Sequence, residues 1–112
     1  MVQIAVFDTS FHATMPSKAF LYAIPKGLYK EHGIRRYGFH GSSYEYVCET
    51  ASKSLGLTGK LNAIIIYLGE EGEGSSACVV KDGKCIDTSM GLTPLEGAHL
   101  LCAKLRTSHG PN

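Results

Sequence analysis

The chain lacks most of the features that would assign a function from composition. Its 112 residues carry 11 lysines and arginines against 10 aspartates and glutamates, a formal net charge of +1. That balance creates no field for nucleic acid or an anionic membrane, so any anion site has to be local. The longest uninterrupted apolar run, Ala63–Leu68, is far short of a membrane span. No basic start, long apolar stretch or small-residue cleavage site opens the sequence, so Met1–Asp8 does not read as a signal peptide. Cys48, Cys78, Cys85 and Cys102 form no Cys-x-x-Cys pair and are spaced too widely for a zinc knuckle. They read as buried free thiols in a reducing cytoplasm, with disulfides as the alternative, and no residue is singled out as a metal ligand. Internal repeats and low-complexity segments are absent as well.

What is present is a folded segment the size of one domain. Apolar residues make up 44% of the chain and charged residues 19%, which allows a modest core and argues against disorder. Val2–Phe7 reads as a strand delivering Asp8 and Thr9 to a loop. Residues 17–29 are weakly helical, with Phe20, Leu21, Ile24 and Leu28 on one side and Pro25 breaking or capping the pattern. A helix capped by Ser42 or Ser43 is expected to run to about Leu55, with Tyr46, Val47, Thr50, Ala51 and Leu55 on one face and Gly56 as its stop. Leu61–Leu68 reads as a buried strand, Gly69–Gly74 as a tight glycine-acid loop, and Ser76–Val80 and Cys85–Thr88 as two further strands. Asp82-Gly83 marks the hairpin turn between the last two. A strand, then helices, then a three-strand antiparallel meander make a mixed α/β structure.

Residues 34–43, Ile-Arg-Arg-Tyr-Gly-Phe-His-Gly-Ser-Ser, concentrate two guanidiniums, an imidazole and two hydroxyls around two glycines. Between Lys26 and Tyr44 the only acidic residue is Glu31. Such a donor cluster suits a small anion, a phosphate or a carboxylate; a solvated basic face ending in a helix cap explains the same residues.

With these segments placed, the sequence resembles the acetate and propionate kinase family. The resemblance is carried in order by Val6-Phe-Asp-Thr-Ser-Phe-His12 with Thr14-Met-Pro16, by Leu28–Ser43, by Leu68-Gly69, by the Lys-Asp-Gly-Lys turn, and by Asp87-Thr-Ser-Met-Gly-Leu-Thr-Pro-Leu-Glu-Gly97. It implies an α/β chain that is a fragment of the actin-like, ribonuclease-H-like kinase fold shared with sugar kinases and Hsp70. Residues 1–10 would end a first kinase domain, 11–97 would open a second, and 98–112 form a divergent tail. The implied activity moves the γ-phosphoryl of ATP onto a short-chain carboxylate, with Mg²⁺ as cofactor, in a cytoplasmic enzyme that is a homodimer in the family. Its partners would be the nucleotide and the carboxylate, with neither nucleic acid nor membrane.

Residue by residue, the resemblance makes His40 the stabiliser of the transferring group and Asp8 an active-site acid-base residue. A bare carboxylate would repel an anionic substrate, so a strand-end turn former is the competing role for Asp8. Arg35, Arg36 and Phe39 are candidates for anion and substrate binding; for both arginines, bracing the His40 loop is the alternative. Phe11 and Phe39 serve equally well as core residues, and His12 is ambiguous in the same way. Gly69 and Gly74 would present backbone N–H groups to the nucleotide phosphates. In that hairpin Tyr67 stands where the family has histidine, and Glu70, Glu71 and Glu73 are unfavourable beside a triphosphate. In the tail Ala103 takes the place of a catalytic arginine, with Lys104 and Arg106 out of register, so this chain on its own is expected to be incomplete and inactive. The alternative is a non-catalytic binding module reusing half of the kinase fold. A serine hydrolase using Ser42 or Ser43 with His40 and Asp8 is disfavoured, because no Gly-x-Ser-x-Gly is present.

Overall fold

In the computed structural model, which describes residues 1–69 and 74–96, a three-stranded antiparallel sheet carries one long helix and a short 3-10 turn on its inner face. The strands are β1 (Ala63–Leu68), β2 (Ser75–Lys81) and β3 (Lys84–Thr88), in spatial order β1-β2-β3. The meander therefore forms as the turn signals predict. Asp82 (φ 51°) and Gly83 (φ 74°) are both left-handed, the conformation that matches the twist of a two-residue hairpin. A bulge between Val79 and Val80 shifts the β2–β3 register.

Three helices precede the sheet: α1 (Ser17–Phe20), α2 (Lys26–His32) and α3 (Gly41–Ser54). The weak pattern over 17–29 is thus two short helices, because Pro25 supplies no N–H to continue the first and instead opens the second. Gly33, at φ 67°, ends α2 with its N–H on the Tyr29 carbonyl.

Three expectations are corrected. Residues 1–7 form no strand and are exposed, because no strand among the described residues offers them a hydrogen-bond ladder. The buried face of α3 is Gly41, Tyr44, Cys48 and Ser52, whereas Tyr46, Val47, Thr50 and Leu55 face out. β1 is buried on one face alone: Ala63, Ile65 and Tyr67 point inward, while Ile64, Ile66 and Leu68 remain 71%, 64% and 80% exposed. Nothing among the described residues covers that outer face.

The core comprises Met15, Tyr44, Cys48, Leu61, Cys78, Val80 and Cys85, with Phe11, Ala19, Phe20, Ala51, Ala63, Ile65 and Tyr67 packed against it. Alternation along β2 puts Ser76, Cys78 and Val80 on the inner face, where they meet Tyr67, Ile65 and Ala63 across the β1 register. Cys48, Cys78 and Cys85 are free and buried, as expected; Cys102 lies outside the described residues. No described helix is long and apolar enough to cross a membrane.

Candidate functional site

His40 is the residue around which distant segments converge. It immediately precedes α3 at φ 60°, ψ 20°, a left-handed conformation that few residues other than glycine adopt and that needs support from its surroundings. Asp8 gives that support. Its carboxylate accepts the His40 backbone N–H at 2.8 Å and the Ser42 N–H at 3.5 Å, and its carbonyl accepts the Gly41 N–H at 2.9 Å. A carboxylate at a helix N-terminus also faces the positive end of the helix dipole. Gly41 permits this approach: a Cβ there would collide with the Asp8 carbonyl oxygen.

The expected cap is therefore corrected. Neither Ser42 nor Ser43 caps α3; a carboxylate more than thirty residues upstream does. Asp8→Ala should cost about 1–2 kcal/mol of stability, whereas Ser42→Ala and Ser43→Ala should stay within about 0.5 kcal/mol of wild type. Urea midpoints of the three variants test this, and an Asp8 variant as stable as the serine variants would remove Asp8 from the cap.

The His40 ring is half-buried. It stacks on Tyr67 with centroids 4.1 Å apart and planes 24° apart, and its Nδ1 lies 2.8 Å from the Ser76 hydroxyl. Ser76 also bonds the hydroxyl of Tyr44, the largest fully buried side chain. Burial raises the Tyr44 pKa, which keeps that hydroxyl protonated as a donor. When Tyr44 donates to Ser76 and Ser76 donates to Nδ1, one of the two proton arrangements these bonds allow, the ring proton sits on Nε2, which has no hydrogen-bond partner among the described residues. In that arrangement the unit offers one oriented donor. Tyr67 and Ser76 face each other in the β1–β2 register, so the same hairpin supplies both of its supports. Sequence inspection does not single out Ser76 or Tyr44 for this role, since its only signal is the register of a hairpin far along the chain.

The other candidates take different places. Arg36 donates to the Asp87 carboxylate at 3.0 Å and to the Thr88 carbonyl at 2.6 Å, holding the 33–39 loop against β3. The Arg35 guanidinium lies 3.8 Å above the Phe20 ring and 5.4 Å from that of Tyr37. Both arginines brace the loop that leads to His40, Arg36 through its ion pair and Arg35 over the aromatic rings. Phe39 contributes its backbone: its carbonyl accepts from His12 Nε2 at 2.9 Å. The Gly69 N–H is used by the Gly74 carbonyl at 3.0 Å and does not face outward for a phosphate. Residues 70–73, with Glu70, Glu71 and Glu73, lie outside the described residues, as do the tail and Ala103. The hydrolase constellation is not built either, because His40 bonds Ser76 and Asp8 is committed to the α3 cap.

His12 is fully buried, resolving its ambiguity in favour of the interior. Its Nδ1 meets Cys85 Sγ at 3.2 Å, and Cys78 in turn donates to Cys85 across 3.5 Å. Burial alone would lower the His12 pKa, but its bonds to Cys85 and to the Phe39 carbonyl outweigh that and raise it. Cys85, accepting from Cys78 and His12, is lowered to about 6, while Cys78, the donor of the pair, is raised.

Among the described residues the one group of three or more potential metal ligands is the soft His12, Cys78 and Cys85 cluster, whose donors suit a thiophilic cation rather than Mg²⁺.

Comparisons with known proteins agree with this architecture. The fold is part of the actin-like fold of acetate and propionate kinases. A propionate kinase structure from Francisella tularensis matches 82% of this chain with a TM-score of 0.76 and 55% identity, and a Porphyromonas gingivalis acetate kinase structure matches 92% with a TM-score of 0.75 and 37% identity. The model of the acetokinase family matches residues 1–103, and the chain belongs to that family. Acetate kinases from Histophilus somni and Helicobacter acinonychis are 57% and 58% identical over 95 and 96 residues, covering 84% and 85% of this chain. The chain spans 23% of the length of each of those relatives, and 23% and 28% of the two matched structures.

Proposed function

We propose that this chain supplies the His40 wall of a carboxylate kinase that transfers the γ-phosphoryl of ATP to a short-chain carboxylate, acetate or propionate. The observation that carries the proposal is the placement of His40: left-handed at the head of α3, clamped by Asp8, its ring held by Tyr67 and Ser76 with Nε2 directed away from those supports. In such a transfer a carboxylate oxygen bonds to the γ-phosphorus as the bond to the ADP oxygen breaks, and the electron pair leaves with ADP. Catalysis consists largely of positioning and of neutralising charge on the equatorial oxygens. An Nε2–H donor held in place beforehand does this without reorganising. Asp8 then acts as a positioning residue, fixing the backbone that carries the imidazole. In this reading residues 1–10 close one kinase domain and 11–97 open the next, and the remaining contacts to nucleotide and carboxylate come from outside this stretch.

A chimera tests the proposal. The matching stretch of the Histophilus somni acetate kinase is replaced by residues 2–96, and acetyl phosphate formed from ATP and acetate is trapped as the hydroxamate. The chimera should be active, and His40→Ala should lower kcat by about 10²–10³-fold. A folded chimera whose His40→Ala form keeps full activity would exclude the proposed role.

A further inference from the structure

The buried group of His12, Cys78 and Cys85 has the composition and geometry of a ligand set for a thiophilic cation. One ligand atom from each lies within 4.8 Å of the others, and all three residues are buried. Tetrahedral coordination with metal–sulfur bonds near 2.3 Å and metal–nitrogen bonds near 2.0 Å places ligand atoms about 3.5–4 Å apart. The observed separations of 3.2 Å for His12 Nδ1 to Cys85 Sγ and 3.5 Å for Cys85 Sγ to Cys78 Sγ need only small outward shifts to reach that range.

The surroundings are independently those of a metal-binding histidine. Such a residue presents one ring nitrogen to the ion and donates the other N–H to a carbonyl or carboxylate, which fixes the tautomer and ring orientation. His12 does this: Nε2 donates to the Phe39 carbonyl at 2.9 Å, leaving Nδ1 turned to the sulfurs. The ring is further fixed edge-on between Phe11 and Tyr44.

A disulfide fits less well. Cys85 faces Val80 across the β2–β3 ladder and Cys78 faces Thr88, so the two cysteines are diagonal neighbours flanking the bulge. Their sulfurs stand 3.5 Å apart as free thiols. A bridging ion accepts the wider spacing.

We propose that His12, Cys78 and Cys85 form a binding site for one zinc-class divalent cation, coordinated by His12 Nδ1 and two thiolates. Two thiolates neutralise the dication, which limits the cost of burying charge. Loading displaces to solvent the Cys78 thiol proton and the proton shared between His12 Nδ1 and Cys85. Because His12 also holds the Phe39 carbonyl, the ion is tied to the backbone that carries His40. This assignment is independent of the proposed kinase role and goes beyond the cysteine spacing, which shows no zinc knuckle.

Cobalt(II) titration tests it, on the 112-residue chain and on the chimera, with a phosphine reductant. One equivalent of Co²⁺ should give a thiolate-to-cobalt charge-transfer band in the near ultraviolet, displaced by Zn²⁺ and untouched by Mg²⁺. Cys78→Ser should abolish the band, whereas Cys48→Ser, in a buried cysteine outside the cluster, should keep it. Zn²⁺ at ~100 times its Kd should also raise the wild-type Tm by at least about 5 °C. This second measurement applies even if the serine variants unfold. A folded protein with no band and no Zn²⁺-dependent rise in Tm, or a band that survives Cys78→Ser, would overturn the assignment. So would a Cys78–Cys85 disulfide recovered from the folded protein under these conditions.

Discussion

Replacing Tyr44 with alanine is expected to lower the unfolding free energy by about 3–5 kcal/mol, the range for truncating a large buried aromatic. Tyr44 is the largest fully buried side chain and joins the inner face of α3 to the sheet, where its ring meets His12 edge-on at 5.8 Å. Against a typical total stability of about 5–15 kcal/mol, that loss leaves a marginal fold. Tyr44→Phe keeps the ring and removes only the hydroxyl bonded to Ser76, so it should cost about 1 kcal/mol. The two variants separate packing from polarity. The phenylalanine form should stay folded yet loosen Ser76 and hence His40 Nδ1, which is visible as a changed His40 imidazole signal in NMR. Urea unfolding provides the test, and an alanine variant within 1 kcal/mol of wild type would contradict the placement of Tyr44 in the core.

The second large effect concerns catalysis by the 112-residue polypeptide alone. It should form no acetyl phosphate above background from ATP and acetate, at least about 10³-fold below the chimera, since one missing cationic stabiliser can cost that much in phosphoryl transfer. Among the described residues the donor that the proposal uses is His40 Nε2, opposite the Nδ1 bonded to Ser76. Arg36 is committed to Asp87 and Thr88, Arg35 to Phe20, and the Gly69 N–H to Gly74. A hydroxamate signal from the isolated polypeptide that disappears in His40→Ala would show that these residues suffice, contrary to the expectation.

Much of the local structure was legible in the sequence because its causes are local. Asp82-Gly83 forces left-handed backbone, which makes a two-residue hairpin and places β2 and β3 side by side. Pro25 and Gly33 delimit α2 through their own backbone chemistry. The string around His40, with its glycines, pointed to the loop that heads α3.

What went unread depended on contacts between distant segments. The serines at the head of α3 have the right chemistry for a cap, yet Asp8 takes that place because the chain folds back to bring a stronger acceptor there. The apolar run Ile64-Ile65-Ile66 looks the same whether one face or both are covered, and burial is decided by what packs on it. The arginines carry the charge an anion site wants, but Asp87 and the Phe20 ring, supplied by other elements, engage them first.

The sequence by itself determined the meander, its turn, the membership of the chain in an α/β family of kinases, and the glycine-flanked loop that carries His40. Only the tertiary structure decided which groups support His40, that Asp8 clamps its backbone, and that His12 meets Cys78 and Cys85 in the core. Turn and helix signals reside in neighbouring residues and in the φ each tolerates. Hydrogen-bond partners and ligand sets are fixed by register and packing, which bring together side chains that no spacing along the chain relates.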